Sequence, residues 1–130
     1  MEEFLKKSVE KLMNEQSEEA LWECVVAFQH YEFRTYSGLP FSYQLKKGRG
    51  GAYTKELFID RRKNSKSLAW SSIVLVFQNL KGRPVVNRPK ALGDIRGVTY
   101  IYGMFYRFGL IEVPENVKEK MDEIHDGTDE

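Results

Sequence analysis

The sequence predicts an α+β fold in which two N-terminal helices, a β-hairpin and two further helices surround a single core. Apolar residues recur at helical spacing over residues 1–30, alternate with polar residues after position 40, and almost fill residues 68–80. A chain of 130 residues has the size of one domain. We therefore expect one α+β domain over residues 1–114 and an acidic, partly flexible C-terminal tail over residues 115–130.

Two helices are predicted before position 31. Leu5, Val9 and Leu12 form an apolar stripe between charged residues, as on a surface helix. Ser17 precedes two glutamates, which is typical of a helix N-cap and first turn. A broader apolar face follows, so this second helix is expected to run to about residue 30; the face comprises Leu21, Trp22, Val25, Val26 and Phe28.

A β-hairpin is predicted over residues 41–60. Phe41, Tyr43 and Leu45 alternate with polar residues, and a second β-rich run covers residues 53–60. The sequence KKGRGG lies near the turn, where glycines permit positive φ angles. We expect the tip to project Lys46, Lys47 and Arg49 into solvent.

Two more helices are predicted after the hairpin. Ser67 is the expected N-cap of a buried helix ending near Leu80, and a connector rich in proline and basic residues follows over residues 81–91. Asp94 is the expected cap of the fourth helix and Gly109 its stop. A short strand over residues 110–113 completes the predicted domain.

Composition excludes several classes of protein. No apolar run approaches the ~18 residues that span a bilayer, and the N-terminus lacks a signal-peptide core, so we expect a cytoplasmic protein that is neither membrane-spanning nor secreted. The single cysteine, Cys24, cannot form an internal disulfide. With two distant histidines it provides too few ligands for structural zinc, and no cofactor is predicted.

Charge is divided into three blocks. Residues 1–44 hold four basic and eight acidic residues, residues 45–96 hold thirteen basic and three acidic, and residues 97–130 hold three basic and eight acidic. A strongly cationic middle favours binding to nucleic acid phosphates or to an acidic protein. Alternatively, the acidic ends fold back and cancel its field, or opposite charges drive self-association, so the oligomeric state stays open.

The segment DRRKNSKS, residues 60–67, is the first candidate site. As the predicted start of a helix it would combine unpaired N–H groups with cations and suit a phosphate. Simple N-capping by Ser67 with solvated arginines is an equal alternative, and the nucleotide-binding P-loop spacing is absent.

Arg96, Tyr100 and Arg107 on the fourth predicted helix form the second candidate surface, because arginine and tyrosine hold phosphates or stack on bases. Aromatic residues at helical spacing are more often core, and the nearby Gly97 and Gly103 also fit close helix packing.

Catalysis has little support in the sequence. Cys24 and His30 are six residues apart and fall on different faces of one helix, so they do not form a nucleophile and base. Glu56, Asp60 and Lys63 offer the residue types of a metal-dependent nuclease, but their spacing matches no strict motif. No catalytic residue or metal ligand is predicted.

The segments YSGLPFSYQLK, KELFIDRRKNSKSLAWSSI and RPKALGDIRGVTYIYGMFYRFGLI resemble a small-protein family of Firmicutes and their mobile elements. The resemblance covers residues 31–113 and implies an accessory protein of a phage, plasmid or chromosome. That family has no known activity, so the resemblance supplies no catalytic residues.

The preferred function is non-enzymatic nucleic-acid binding through phosphate contacts with low sequence specificity. An ordinary winged helix is excluded, because the hairpin precedes the buried helix and that helix is too apolar for a major groove. The main alternative is a protein-interaction module, either adaptor or inhibitor. The predicted nucleic-acid-binding residues are Lys46, Lys47, Arg49, Arg61, Arg62, Lys63, Lys66, Ser67, Arg96 and Arg107.

Overall fold

The computed structural model describes residues 3–61 and 64–122, and side chains within these ranges except those of residues 61 and 64–66. The described chain is mixed α+β, as predicted, and four of its strands pair in an antiparallel sheet in the order in which they follow one another in the sequence. Its helices and strands are α1 (Glu3–Glu15), α2 (Glu18–Ala27), β1 (Phe33–Arg34), β2 (Pro40–Lys47), β3 (Tyr53–Arg61), β4 (Asn64–Ala69), α3 (Trp70–Asn79), α4 (Val98–Phe108) and α5 (Glu115–Met121).

The chain divides into two compact units. The first contains Met1–Tyr31 and Ser42–Trp70, and the second contains Glu32–Phe41 and Ser71–Glu130. The second unit is therefore assembled from two separate stretches of the sequence.

In the first unit, α1 and α2 pack together beside an antiparallel sheet. Ser17 caps α2 as predicted, because its side chain accepts a hydrogen bond from the Ala20 N–H at 3.1 Å. The Tyr43 hydroxyl on β2 donates to the Val25 carbonyl at 2.6 Å, which ties the sheet to α2. The buried side chains of the sheet are Tyr43, Leu45, Leu57, Ile59 and Leu68.

In the second unit, α4 is almost entirely buried and its close neighbour is β1. A Cβ added at Gly103 would lie 2.6 Å from the Arg34 carbonyl oxygen, so the helix approaches this strand at a distance that only glycine permits. The rings of Phe33 and Phe108 pack edge to face at 6.0 Å. Gly103 thus serves tight packing, as expected, although its neighbour is a strand and not another helix.

Several predicted boundaries are wrong. The third helix begins at Trp70 rather than Ser67, because residues 64–69 form β4, which pairs with β3. Gly97 in a left-handed conformation, not Asp94, precedes α4, whereas Gly109 ends it as predicted. Instead of a strand over residues 110–113, Glu112 forms an isolated bridge with Val85.

The acidic C-terminal region contributes to the second unit as far as it is described. Val117 and Met121 of α5 are buried. Residues 123–130 lie outside the described chain. Among the helices described here, none has both the length and the apolar character required to cross a bilayer.

Candidate functional site

The tip between β2 and β3 is a closed turn held by backbone hydrogen bonds. The Gly48 N–H donates to the Ala52 carbonyl at 2.8 Å, and the Gly51 N–H donates to the Gly48 carbonyl at 3.2 Å. Gly50 and Gly51 have φ angles of 80° and 85°, where an L side chain is strained. The predicted role of these glycines is therefore confirmed, and the turn fixes the backbone position of Arg49.

Two of the cations at this tip lie near aromatic rings. Lys46, Lys47 and Arg49 are all exposed, as predicted. The Lys46 Nζ lies 5.6 Å from the centroid of the Phe58 ring, and the Lys47 Nζ lies 5.5 Å from that of Tyr53. Distances below about 6 Å allow weak cation–π attraction, so each lysine stem lies close to a ring.

The face of the sheet that carries Gln44 and Ser67 also carries Phe58. Phe58 is half-buried, and its register partners Gln44 on β2 and Ser67 on β4 are exposed. An aromatic ring beside amide, hydroxyl and ammonium groups is the composition of a base-stacking surface. Phe58 and Tyr53 were not selected from the sequence, although aromatic residues soon after a basic turn were a usable signal.

The tip cations are not neutralised within the described chain. Among the described side chains, the ion pairs are Lys11–Glu23, Arg34–Glu32, Arg83–Glu112 and Arg107–Asp122. Only Arg83–Glu112, at 3.8 Å, joins the basic middle to an acidic end. Lys46, Lys47 and Arg49 thus keep their charge open to a ligand as far as these residues show.

The first candidate site of the sequence, residues 60–67, has a different geometry from the one expected. Ser67 is exposed on β4, opposite Phe58, so the predicted helix N-terminus around it is wrong. Arg61 ends β3 and Lys66 lies on β4, but their side chains are outside the described residues. Arg62 and Lys63 lie wholly outside them. Their predicted phosphate contacts stay predictions.

The basic residues of the first unit do not form one patch. The Lys47 and Tyr53 pair lies at one end of β3, whereas Arg61 pairs with Asn64 at the other end. At ~3.3 Å per residue, Tyr53 and Arg61 are separated by roughly 26 Å. The hairpin tip and Arg61 therefore lie too far apart to contact the same phosphate group.

The second candidate surface is only partly accessible. Arg96 is exposed, but Tyr100 is 7% exposed and packs edge to face with Phe41 at 5.1 Å. Arg107 is half-buried, and its guanidinium lies 3.5 Å from Asp122. Tyr100 is therefore part of the core and not of an accessible surface, and Arg107 offers a charge that already has a carboxylate partner.

The residues considered for catalysis do not converge. Cys24 is buried, and this burial raises the pKa of its thiol to about 12. Glu56 and Asp60 are four positions apart on β3, roughly 13 Å at strand spacing. Within the described residues, no three carboxylate, thiol or imidazole groups are placed to hold a metal ion.

A cleft in the first unit brings together residues that lie far apart in the sequence. It has a volume of about 610 Å³ and lies between α2, β3 and the start of α3. Two tryptophans form its walls and three glutamates surround them. It is lined by Glu18, Glu19, Trp22, Glu23, Lys55 and Trp70.

Comparison with known proteins gives no relative. No family model, no curated protein and no solved structure matches this chain. The resemblance to the accessory-protein family stays a prediction, and the functional argument rests on the residues of the chain itself.

Proposed function

We propose that this protein binds nucleic acid without catalysing a reaction, using the β2–β3 hairpin tip to contact phosphates. The observation that supports the proposal is the exposure of Lys46, Lys47 and Arg49 on a glycine-closed turn, with no ion pair to any of them among the described residues. Phosphate contacts position a protein without reading sequence, so specificity is low.

The aromatic rings beside these cations favour single-stranded nucleic acid. Tyr53 is 39% exposed, and Phe58 is half-buried on the outward face of the sheet. Stacking on aromatic rings requires unpaired bases, and it tolerates any base. We therefore expect single strands to bind more tightly than a duplex of equal length.

The expected contribution of the hairpin tip to nucleic-acid affinity follows from three phosphate contacts, one for each of its cations. Each contact contributes about −0.7 to the slope of log K against log salt for a single strand, so the tip contributes about −2. A triple variant, Lys46→Ala, Lys47→Ala and Arg49→Ala, removes this contribution. Its affinity for single-stranded DNA at low salt should fall at least about tenfold, with a flatter salt slope.

The matched control removes three exposed lysines elsewhere, Lys6→Ala, Lys7→Ala and Lys118→Ala, for the same change in net charge. Labelled oligonucleotides are titrated at two salt concentrations and followed by anisotropy. The control should stay within about threefold of the natural protein, because it leaves the tip intact. Absence of binding by the natural protein at low salt, or equal losses in both variants, would contradict the proposal.

The same titration addresses the alternative of an acidic protein partner. Polyglutamate carries negative charge but no bases, so it cannot stack on Tyr53 or Phe58. Under our proposal it competes poorly with single-stranded DNA of equal charge. Equal competition would favour the protein-interaction module. A role as an accessory protein of a mobile element has support only from the resemblance in residues 31–113.

A further inference from the structure

The cleft between α2, β3 and the start of α3 is built around two tryptophan rings. Trp22 and Trp70 meet edge to face, with centroids 4.9 Å apart and planes at 72°. Trp22 is half-buried, whereas Trp70 is 7% exposed. The volume of about 610 Å³ lies within the range of ligand-binding cavities.

The side-chain ammonium group of Lys55 already lies against the tryptophan rings of the cleft. The Lys55 Nζ lies 3.7 Å from the centroid of Trp22 and 5.4 Å from that of Trp70. Tryptophan offers the most favourable ring face for a cation. The intramolecular contact shows that the geometry of these rings suits an alkylammonium group.

Carboxylates make the cleft complementary to further positive charge. Glu18, Glu19 and Glu23 line it, against the single cation of Lys55. The Trp70 Nε1–H donates to Glu18 at 3.3 Å, which orients that carboxylate within the cleft. Lys11 donates to Glu23 at 2.8 Å from outside the lining. The lining keeps an excess of negative charge beside the aromatic rings.

We propose that this cleft binds a lysine or arginine side chain of a basic polypeptide, which displaces Lys55 from Trp22. Lys55 is exposed and has a flexible stem, so it leaves the ring without disturbing the core. The incoming cation replaces its contact with Trp22 and lies beside the three glutamates. Lys55 is therefore a competitor of the ligand, although it lies within the site.

Because Lys55 competes with the ligand, its removal is expected to increase the affinity of the cleft for a basic peptide. Lys55→Ala vacates the ring and removes one repelling charge, so the affinity for a basic peptide should increase about threefold to tenfold. Trp22→Ala should abolish saturable binding, and Glu19→Gln should weaken it severalfold. Lys118→Ala, an exposed lysine outside the cleft, serves as the matched control and should leave the affinity unchanged.

Tryptophan fluorescence reports this cleft directly, because both tryptophans of the chain line it. The natural protein is titrated with pentalysine and separately with fully acetylated pentalysine, which keeps the chain but removes its side-chain charges. Pentalysine should change the fluorescence saturably, and the acetylated peptide should not. If Trp22→Ala does not fold, Trp22→Phe replaces it and should bind more weakly.

Three results would overturn the proposal: equal responses to both peptides, no saturable response, or a Lys55→Ala variant whose affinity is unchanged or lower. The outcome is separable from the nucleic-acid proposal, because Lys55→Ala should leave single-strand binding unchanged or weaker. Failure of either binding assay therefore leaves the other result intact.

Discussion

Replacement of Gly103 by alanine tests the packing of α4 against β1. The added Cβ would lie 2.6 Å from the Arg34 carbonyl oxygen and 3.0 and 3.2 Å from two atoms of the Phe41 ring. Ordinary contacts begin near 3.4 Å, so a backbone oxygen must retreat by almost an ångström. Movement of the Phe41 ring alone does not relieve this clash, so the backbone of β1 has to move as well.

The expected cost follows from two opposing effects. Overpacking of a core costs typically about 1–3 kcal/mol, and a clash with backbone belongs at the upper end of this range. Alanine recovers about 1 kcal/mol of helix propensity relative to glycine. We therefore expect the free energy of unfolding to fall by about 2 kcal/mol and the Tm by roughly 8 °C.

Urea and thermal unfolding, followed by circular dichroism, measure this change. Thr99→Ala on the same helix is the control, because Thr99 is exposed and its replacement should change stability by less than about 0.5 kcal/mol. A Gly103→Ala protein as stable as the natural one would refute the reasoning, since it would show that α4 and β1 have room for a methyl group.

Two further predictions concern buried titratable groups. Burial raises the pKa of Tyr102 to about 12, whereas an unfolded tyrosine ionises near 10, so the folded state retains a proton that the unfolded state loses. The contribution of this group to the free energy of unfolding should be constant below pH 10 and fall by about 2 to 3 kcal/mol as the pH rises to 12. Urea titrations at several pH values measure this loss. A Tyr102→Phe protein with the same alkaline loss would contradict the assignment to Tyr102. The Cys24 thiol is buried and its pKa is raised. A chromogenic disulfide reagent should therefore label one thiol per chain in guanidinium and essentially none in the native protein at pH 8. Rapid labelling of the native protein would show that α2 opens or packs differently.

Local sequence signals predicted the parts of the fold that local chemistry determines. The Ser17 cap, the glycine-closed hairpin tip and the Gly109 stop each depend on a few neighbouring residues. The strand β4 was missed, because Ser67 is a typical helix N-cap residue and the segment before it was interpreted as the start of a helix. In the structure, Leu68 lies opposite Leu57, and this distant partner stabilises the strand.

Of the two candidate sites, one follows from local sequence and the other depends on residues that are distant in the sequence. The exposed tip cations follow from a turn within six residues, so they were predictable. The tryptophan cleft was not, because Trp22, Lys55 and Trp70 come together only through the packing of α2 against the sheet. No periodicity in the sequence connects these three positions.

The interleaving of the two units in the sequence has a consequence for synthesis on the ribosome. Phe33 and Phe41 are translated well before their ring partners Phe108 and Tyr100. Until then, the nascent polypeptide carries an apolar segment that lacks these partners. The second unit therefore cannot form until its later stretch has been translated, and a chaperone that shields aromatic segments would act during this interval.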